Sequence, residues 1–305
     1  MAIGKEEYFE NDELKIYRGE DFVVSKHIKI HQPTLNDICD YGEQDYYMMI
    51  NTLVSTPQSI KSQLWDLGID YTEISPYQLF CSILYMIYPQ EKTSIIFGDL
   101  DFTNFKLRKR DDDESIYLYQ KIPTGDIYNV NNDKTYHFSN LYEASRITNC
   151  SYNELFETLC ESDKYNDFLF FNIQFDEVII DEFTYSMIVD YLCSVHFIER
   201  DLKIPANNST KMVLIEDAKD ELERNKNKKY TSQLKNLISA MINSEGFKYN
   251  HAQVWDMKIN AFMDSVKRIS KIKDSNLLLQ SGYSGYGINL KDVDKKQLDW
   301  LGELE

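Results

Sequence analysis

From Ile259 onward the apolar residues fall at Ile259, Phe262, Met263, Val266, Ile269 and Ile272. This i, i+3, i+4, i+7 spacing predicts a helix with one buried stripe. Just ahead of it, Val254, Trp255 and Met257 form an apolar knot with room only for a short turn or helix. Residues 247–273 therefore read as a packing motif rather than a reactive site. Other stretches carry weaker patterns. Residues 12–31 alternate as two strands either side of Arg18-Gly19-Glu20, with Leu14, Ile16, Phe22, Val24, Ile28 and Ile30 on the apolar faces. Pro33 stops that ladder, and Thr34 with Asp37 three residues later predicts a capped helix over 35–41. Further helices are expected over 45–53, over 58–67 with Gly68 at its end, and over 77–86 behind Ser75-Pro76.

From 92 to 138 the texture changes to short alternating runs, SIIFGDL, FTNFKLRKR, SIYLYQKI, DIYNVNN and KTYHFSN, separated by Gly-Asp, an acidic cluster and Pro-Thr-Gly. Such runs predict a small β-rich insert. Ser139 and Ser151 are placed to cap helices over 140–148 and 152–160, while 168–173 and 178–180 read as a buried strand or a loop. Thr184 opens a striped helix, and two more are expected over 211–227 and 232–241. The fold class that follows is α+β and predominantly helical. It comprises an N-terminal β-hairpin with short helices over 1–91, the insert over 92–138, a helical module over 139–281 and a tail over 282–305.

Composition narrows the function classes. A formal charge of −17 opposes a nucleic-acid or anionic-membrane partner, because like charges repel at range. The net negative charge is confined to the first two-thirds: residues 199–305 carry 18 Lys+Arg against 16 Asp+Glu. Five scattered cysteines without a CxxC pair argue against disulfides and a zinc site and favour a reducing compartment. The start, MAIGKEEYFENDELKIY, lacks the basic and apolar regions of a signal peptide, and no apolar run reaches membrane-span length. A soluble, intracellular protein is expected.

Tests for chemistry return little. The Asp111–Glu114 cluster lacks the spacing and glycine of a calcium loop and reads as a solvated hairpin tip; the Asp99–Asn104 run fails the same test. His27 and His31 lie too far apart along a strand to share one metal. His137, His196 and His251 lack ligand neighbours and read as structural histidines. The run Gly282-Tyr-Ser-Gly285-Tyr-Gly287 has the wrong spacing for a phosphate loop, and no nucleophile or zinc-protease motif occurs. Residues 139–160 could form a helix-turn-helix, but the second helix is acidic. The basic runs at 226–229 and 267–273 suit helix C-termini as well as any phosphate. The residues point to no cofactor, no metal and no enzymatic reaction.

Two stretches, HIKIHQPTLNDICDYGEQDYYMMINTLVSTPQSIKSQLWDLGIDY and FKYNHAQVWDMKINAFMDSVKRI, together roughly a quarter of the chain, resemble proteins encoded among the tail-assembly genes of tailed phages and prophages of Gram-positive bacteria. The C-terminal part is similar to the tail assembly chaperone class, in which a Trp/Met knot precedes a last amphipathic helix. That resemblance implies a non-enzymatic tail morphogenesis protein. It would bind tape-measure or tail-tube proteins through an apolar groove, self-associate, and act in the host cytoplasm or the virion. Trp255, Met257, Phe262, Met263, Val266, Trp65 and Trp300 are the residues expected to form its core signature or partner surface. The alternatives are a structural virion component (baseplate, connector or tail subunit) and a DNA-binding regulator using 139–160.

Overall fold

The computed structural model describes residues 13–112, 114–284, 287–302 and 304. The leader reading at 1–12, Asp113 of the acidic tip, and Gly285 and Tyr286 of the glycine-rich tail lie outside them. The fold is α+β, about half helical, with a small antiparallel sheet and a helical C-terminal region. Two compact units interleave along the chain. One contains Val23–Ile30 and Thr72–Val189; the other contains the segment ending at Phe22, His31–Tyr71 and Asp190–Glu305.

The first unit is built on a five-stranded sheet. Strand Ile116–Asn129 pairs along its length with Phe168–Ile180, from Leu118 opposite Ile180 to Asn129 opposite Phe168. Its other edge is shared by Lys106–Lys109 and Lys134–Phe138, and Lys164–Tyr165 closes the far side at Leu169 and Phe168. Three expectations are corrected here. Pro123-Thr-Gly is not a turn but lies inside one 14-residue strand. Proline survives there because the Lys106–Lys109 pairing ends at Tyr119 and the Lys134–Phe138 pairing begins at Gly125, so no neighbour on that edge needs its missing N–H. The 168–180 stretch is likewise one strand, bent at a bulge where Asn172 takes φ +51°. SIIFGDL is no strand: Gln90–Phe97 is a helix opened by Pro89 and ended by Gly98, with Thr93, Ile96 and Phe97 buried at helical spacing.

Helices Leu141–Thr148 and Tyr152–Glu161 lie against the sheet, and Ile127, Phe138, Leu141, Ala144, Leu155 and Phe170 form their common core. Asn140, rather than Ser139, caps the first, accepting the Glu143 N–H at 2.9 Å. Asn149 joins the two in the left-handed conformation at φ +55°. Tyr77, at the start of helix Pro76–Ser82, donates to the C=O groups of Ile116 and Ile180 at 3.0 and 2.9 Å and so clamps the strand ends. In helix Glu182–His196 it is Asp181 that caps, accepting the Thr184 N–H at 3.0 Å, where Thr184 itself was the expected cap.

The second unit is helical. The expected strand before Gly19 is a helix, Glu13–Arg18, which Gly19 terminates at φ +103°. The N-terminal hairpin, of which Val23–Ile30 belongs to the first unit, is present but shorter and later: Phe22–Val23 pairs with Lys29–Ile30, and Val24 N–H to Ile28 C=O at 2.9 Å closes its turn. Alternation over so few residues does not separate a strand from one helical turn. Helix Leu35–Tyr41 carries the expected Thr34/Asp37 capping box, and Glu43–Leu53 buries Tyr46, Met49, Ile50 and Leu53. Helix Asn208–Asn225 packs on Lys61–Asp66, with ion pairs from Lys211 to Asp70 and from Lys219 to Asp66. The 25-residue helix Ile259–Tyr283 follows the short turn Val254–Asp256.

Candidate functional site

The strongest candidate is an apolar cleft beside Trp255 in the second unit, and a backbone seam builds it. Leu35 N–H donates to Met257 C=O, and Ile259 N–H to Pro33 C=O, both at 3.0 Å, making a short antiparallel bridge between Thr34 and Lys258. Lys258 extends the seam: its Nζ donates to Gln32 C=O at 2.7 Å, and Gln32 Nε2 donates to the C=O groups of Ile16 and Glu20. The knot is thereby pinned to the start of helix Leu35–Tyr41. Val254 is fully buried and Met257 nearly so, whereas Trp255 is only half-buried.

The Trp255 ring lies edge-on to His251, 6.1 Å between centroids. It forms one wall of a cleft of about 460 Å³ whose other walls are Leu35 and Cys39 on one helix and Leu234, Ile238 and Ile242 on another. The second helix, Gln233–Ile242, is held by Glu43. That carboxylate accepts the N–H groups of Gln233 and Leu234 at 2.9 and 2.8 Å, where the helix dipole favours a negative charge. Burial pushes the Glu43 pKa up, but hydrogen bonds from Ser232, Leu234, Tyr230 and Gln233 outweigh it and leave the group below its ordinary range. The cleft is an apolar trough with Glu43, Lys235 and His251 among its polar lining. Such a surface suits an apolar peptide segment.

The expected signature residues divide. Phe262, fully buried, and Met257, 8% exposed, are core. Met263 and Val266 are half-buried on helix Ile259–Tyr283. Trp65 is half-buried on helix Lys61–Asp66, away from the seam, on the element that packs against Asn208–Asn225. Trp300 belongs to a C-terminal hook: Arg268 donates to the C=O groups of Trp300 and Gly302 at 2.7 and 2.8 Å, and Ser275 Oγ to Leu298 C=O at 3.0 Å, while the Trp300 side chain is 45% exposed. The structure therefore brings Trp255 together with Leu35, Cys39, Glu43 and His251, none of which the sequence reading assigned to the site. Helix periodicity marked Leu234 and Ile238 as apolar; nothing local marked what they face.

Among the described residues no group of His, Cys, Asp and Glu could hold a metal ion. His27 and His31 each bind a different carboxylate, Asp176 at 2.8 Å and Asp21 at 2.9 Å. His196 is structural, buried between the Tyr46 hydroxyl and the Leu192 C=O at 2.7 and 2.8 Å. Of the basic run at 267–273, Lys267 lies over the Phe197 ring at 3.8 Å and Lys273 donates to Ser244 Oγ. The second helix of the 139–160 pair has no Lys or Arg and exposes Phe156. No helix among the described residues is long and apolar enough to cross a membrane.

No curated protein and no solved structure matches the chain. Residues 225–305 match the family model of the YomV second domain, a phage-associated domain, and that stretch holds Trp255, helix Gln233–Ile242 and the long helix behind them. In that region the chain is similar to a phage protein.

Proposed function

We propose that the protein is a non-enzymatic factor of tailed-phage morphogenesis that holds an apolar segment of a tail protein, tape-measure or tail-tube, in the cleft beside Trp255. The observation that carries this reading is the half-buried Trp255 on an apolar trough inside a region that matches a phage-associated domain. A buried knot would leave its tryptophan inside; this one turns a large ring to an open wall, where aromatic residues make strong anchors. The acidic rest of the chain keeps such a complex soluble.

The test is co-expression with candidate tape-measure and tail-tube proteins. Wild type is expected to hold one of them in a soluble complex. Trp255→Ala and Ile242→Glu should abolish that complex while leaving the circular dichroism close to wild type and lowering the thermal midpoint less than Phe262→Ala does. Complexes undiminished by both variants would refute the site. Stoichiometric copies in purified particles, with no soluble complex beforehand, would assign a structural virion subunit instead.

A further inference from the structure

Among the described residues, the outer sides of Lys134–Phe138 and Lys164–Tyr165 carry no ladder partner, and neither do two further edges of the five-stranded sheet. One is strand Lys106–Lys109, whose four residues are all exposed and which pairs only with Ile116–Asn129. The other is Phe168–Ile180 beyond its bulge, because Lys164–Tyr165 reaches no further than Leu169 and Phe168. The ladder fixes which backbone groups these edges present. Arg110 N–H donates to Ser115 C=O at 2.8 Å, so odd-numbered residues at this end of Ile116–Asn129 face Lys106–Lys109 and even-numbered ones face Phe168–Ile180. Leu118 lies opposite Ile180, Gln120 opposite Val178 and Ile122 opposite Asp176. The N–H and C=O groups of Phe175, Glu177 and Ile179 therefore point out of the sheet.

An edge of this kind is a template for another strand unless it is protected by lysine, proline or extreme shortness. Residues 174–179 contain neither lysine nor proline, and Phe175 is 54% exposed. The chain also displays a matching edge, whose lysines and four-residue length guard it against a neutral or identical strand but suit an acidic one. The 175–179 edge carries Asp176 and Glu177; the strand on the far side of the sheet carries Lys106, Arg108 and Lys109. Arg108 lies over the Tyr119 ring at 4.3 Å and the Tyr119 hydroxyl donates to Glu177 Oε1 at 2.7 Å, so Arg108 and Glu177 project from the same face. Both edge strands run antiparallel to Ile116–Asn129 and hence parallel to each other. Arg108 lies level with Tyr117 and Glu177 with Lys121, so a second copy displaced along the sheet and slipped by four residues along the strands keeps the same face outward and brings its Arg108 beside Glu177. Pairing two identical acidic edges would instead set Glu177 against its own kind, which is unfavourable, whereas Asp176 is already paired with Lys26 and His27.

We infer that the protein self-associates head to tail, strand Lys106–Lys109 of one copy adding to the 175–179 edge of the next. Such a contact is heterologous, so it propagates into a ring or a filament rather than ending at a two-fold dimer. It is independent of what occupies the Trp255 cleft.

The test is sedimentation and light scattering of the full chain over a concentration series at low and high salt. The mass is expected to rise beyond a dimer with concentration and to fall as salt screens the opposed charges. Arg108→Glu and Glu177→Arg should each weaken association roughly tenfold, and the double swap should restore it. Phe175→Pro, which removes one outward N–H from an edge strand, should leave a monomer with an unchanged denaturation midpoint; where it does not fold, the charge-swap pair decides alone. A wild type that stays monomeric, an assembly that stops at a dimer, or masses unmoved by both charge reversals would overturn the inference.

Discussion

His196 gives the second unit a specific acid sensitivity. Its ring is buried, with Nδ1 at 2.8 Å from the Leu192 C=O and Nε2 at 2.7 Å from the Tyr46 hydroxyl, and Tyr47 edge-on at 6.3 Å. A carbonyl only accepts, so Nδ1 carries the proton and Nε2 accepts from the tyrosine. Burial lowers the pKa from 6.5 to about 4, the Leu192 hydrogen bond offsetting it only in part. In the unfolded chain the imidazole takes a proton near 6.5; in the folded one it does so only near 4. Between those values the unfolded state binds more protons, so stability falls as pH falls, by about 1.4 kcal/mol per unit and about 3 kcal/mol in all. Asp37, Asp176 and Glu43 all lie below the ordinary carboxylate range, so their contributions are lost at lower pH and do not fill this window. Urea midpoints followed by circular dichroism between pH 7 and 4.5 should show the slope. His196→Phe should remove it, at a fixed cost of about 1–3 kcal/mol for the stranded Tyr46 hydroxyl. Adding Tyr46→Phe should recover part of that cost. A wild-type midpoint that is flat from pH 7 to 5, or a slope that survives in His196→Phe, would refute the argument.

Other changes test the frame around the cleft. Phe262→Ala, at a fully buried ring, should cost about 3–5 kcal/mol in chemical denaturation. Thr34→Ala breaks the capping box that starts helix Leu35–Tyr41 and should cost about 1 kcal/mol, seen as a lowered urea midpoint. Gly19→Ala should cost more than about 1 kcal/mol by the same measurement: at φ +103° a side chain is strained, and its Cβ would stand 2.8 Å from Lys258 Cγ.

What could be read in the sequence follows the range of the forces involved. Capping is local, so Thr34/Asp37 forms the expected capping box, and Ser75 and Ser151 cap the expected helices, Gln78 and Glu154 completing boxes there as well. The helix Ile259–Tyr283 was legible because apolar residues repeat at 3.6, but the expected buried stripe holds only at its start: Ile259 and Phe262 are fully buried, while Met263, Val266, Ile269 and Ile272 are half-buried. Pro123 misled because its meaning depends on which neighbour stands beside it, a non-local fact. The helix Gln90–Phe97 carries two β-branched residues in Ser-Ile-Ile-Phe that favour a strand when read alone; burial of Thr93, Ile96 and Phe97 outweighs that preference. The cleft was least legible of all. Glu43 caps a helix that begins 190 residues later in the chain, and no spacing rule links the two.

Within the knot, the split between Val254, Trp255 and Met257 bears on function. All three are apolar and nearly adjacent, so hydropathy treats them alike. The short helix Val254–Asp256 and the bridge at Lys258 send Val254 and Met257 inward and leave Trp255 on the cleft wall. A tryptophan left partly exposed forgoes part of the roughly 25 cal/mol per Å² its surface would yield on full burial. Sequence change that merely maximised stability would cover it or replace it with a smaller residue. Phe262, a few residues on, has no such exposure and is explained by packing alone. Packing therefore accounts for Phe262, while Trp255, like Trp65, Met263 and Val266, keeps part of its surface uncovered. Under the proposed function, that uncovered part of Trp255 is the surface an apolar partner would bury. The two residues should consequently part company under mutation: loss at Phe262 appears as unfolding, and loss at Trp255 as a folded protein that no longer holds its partner.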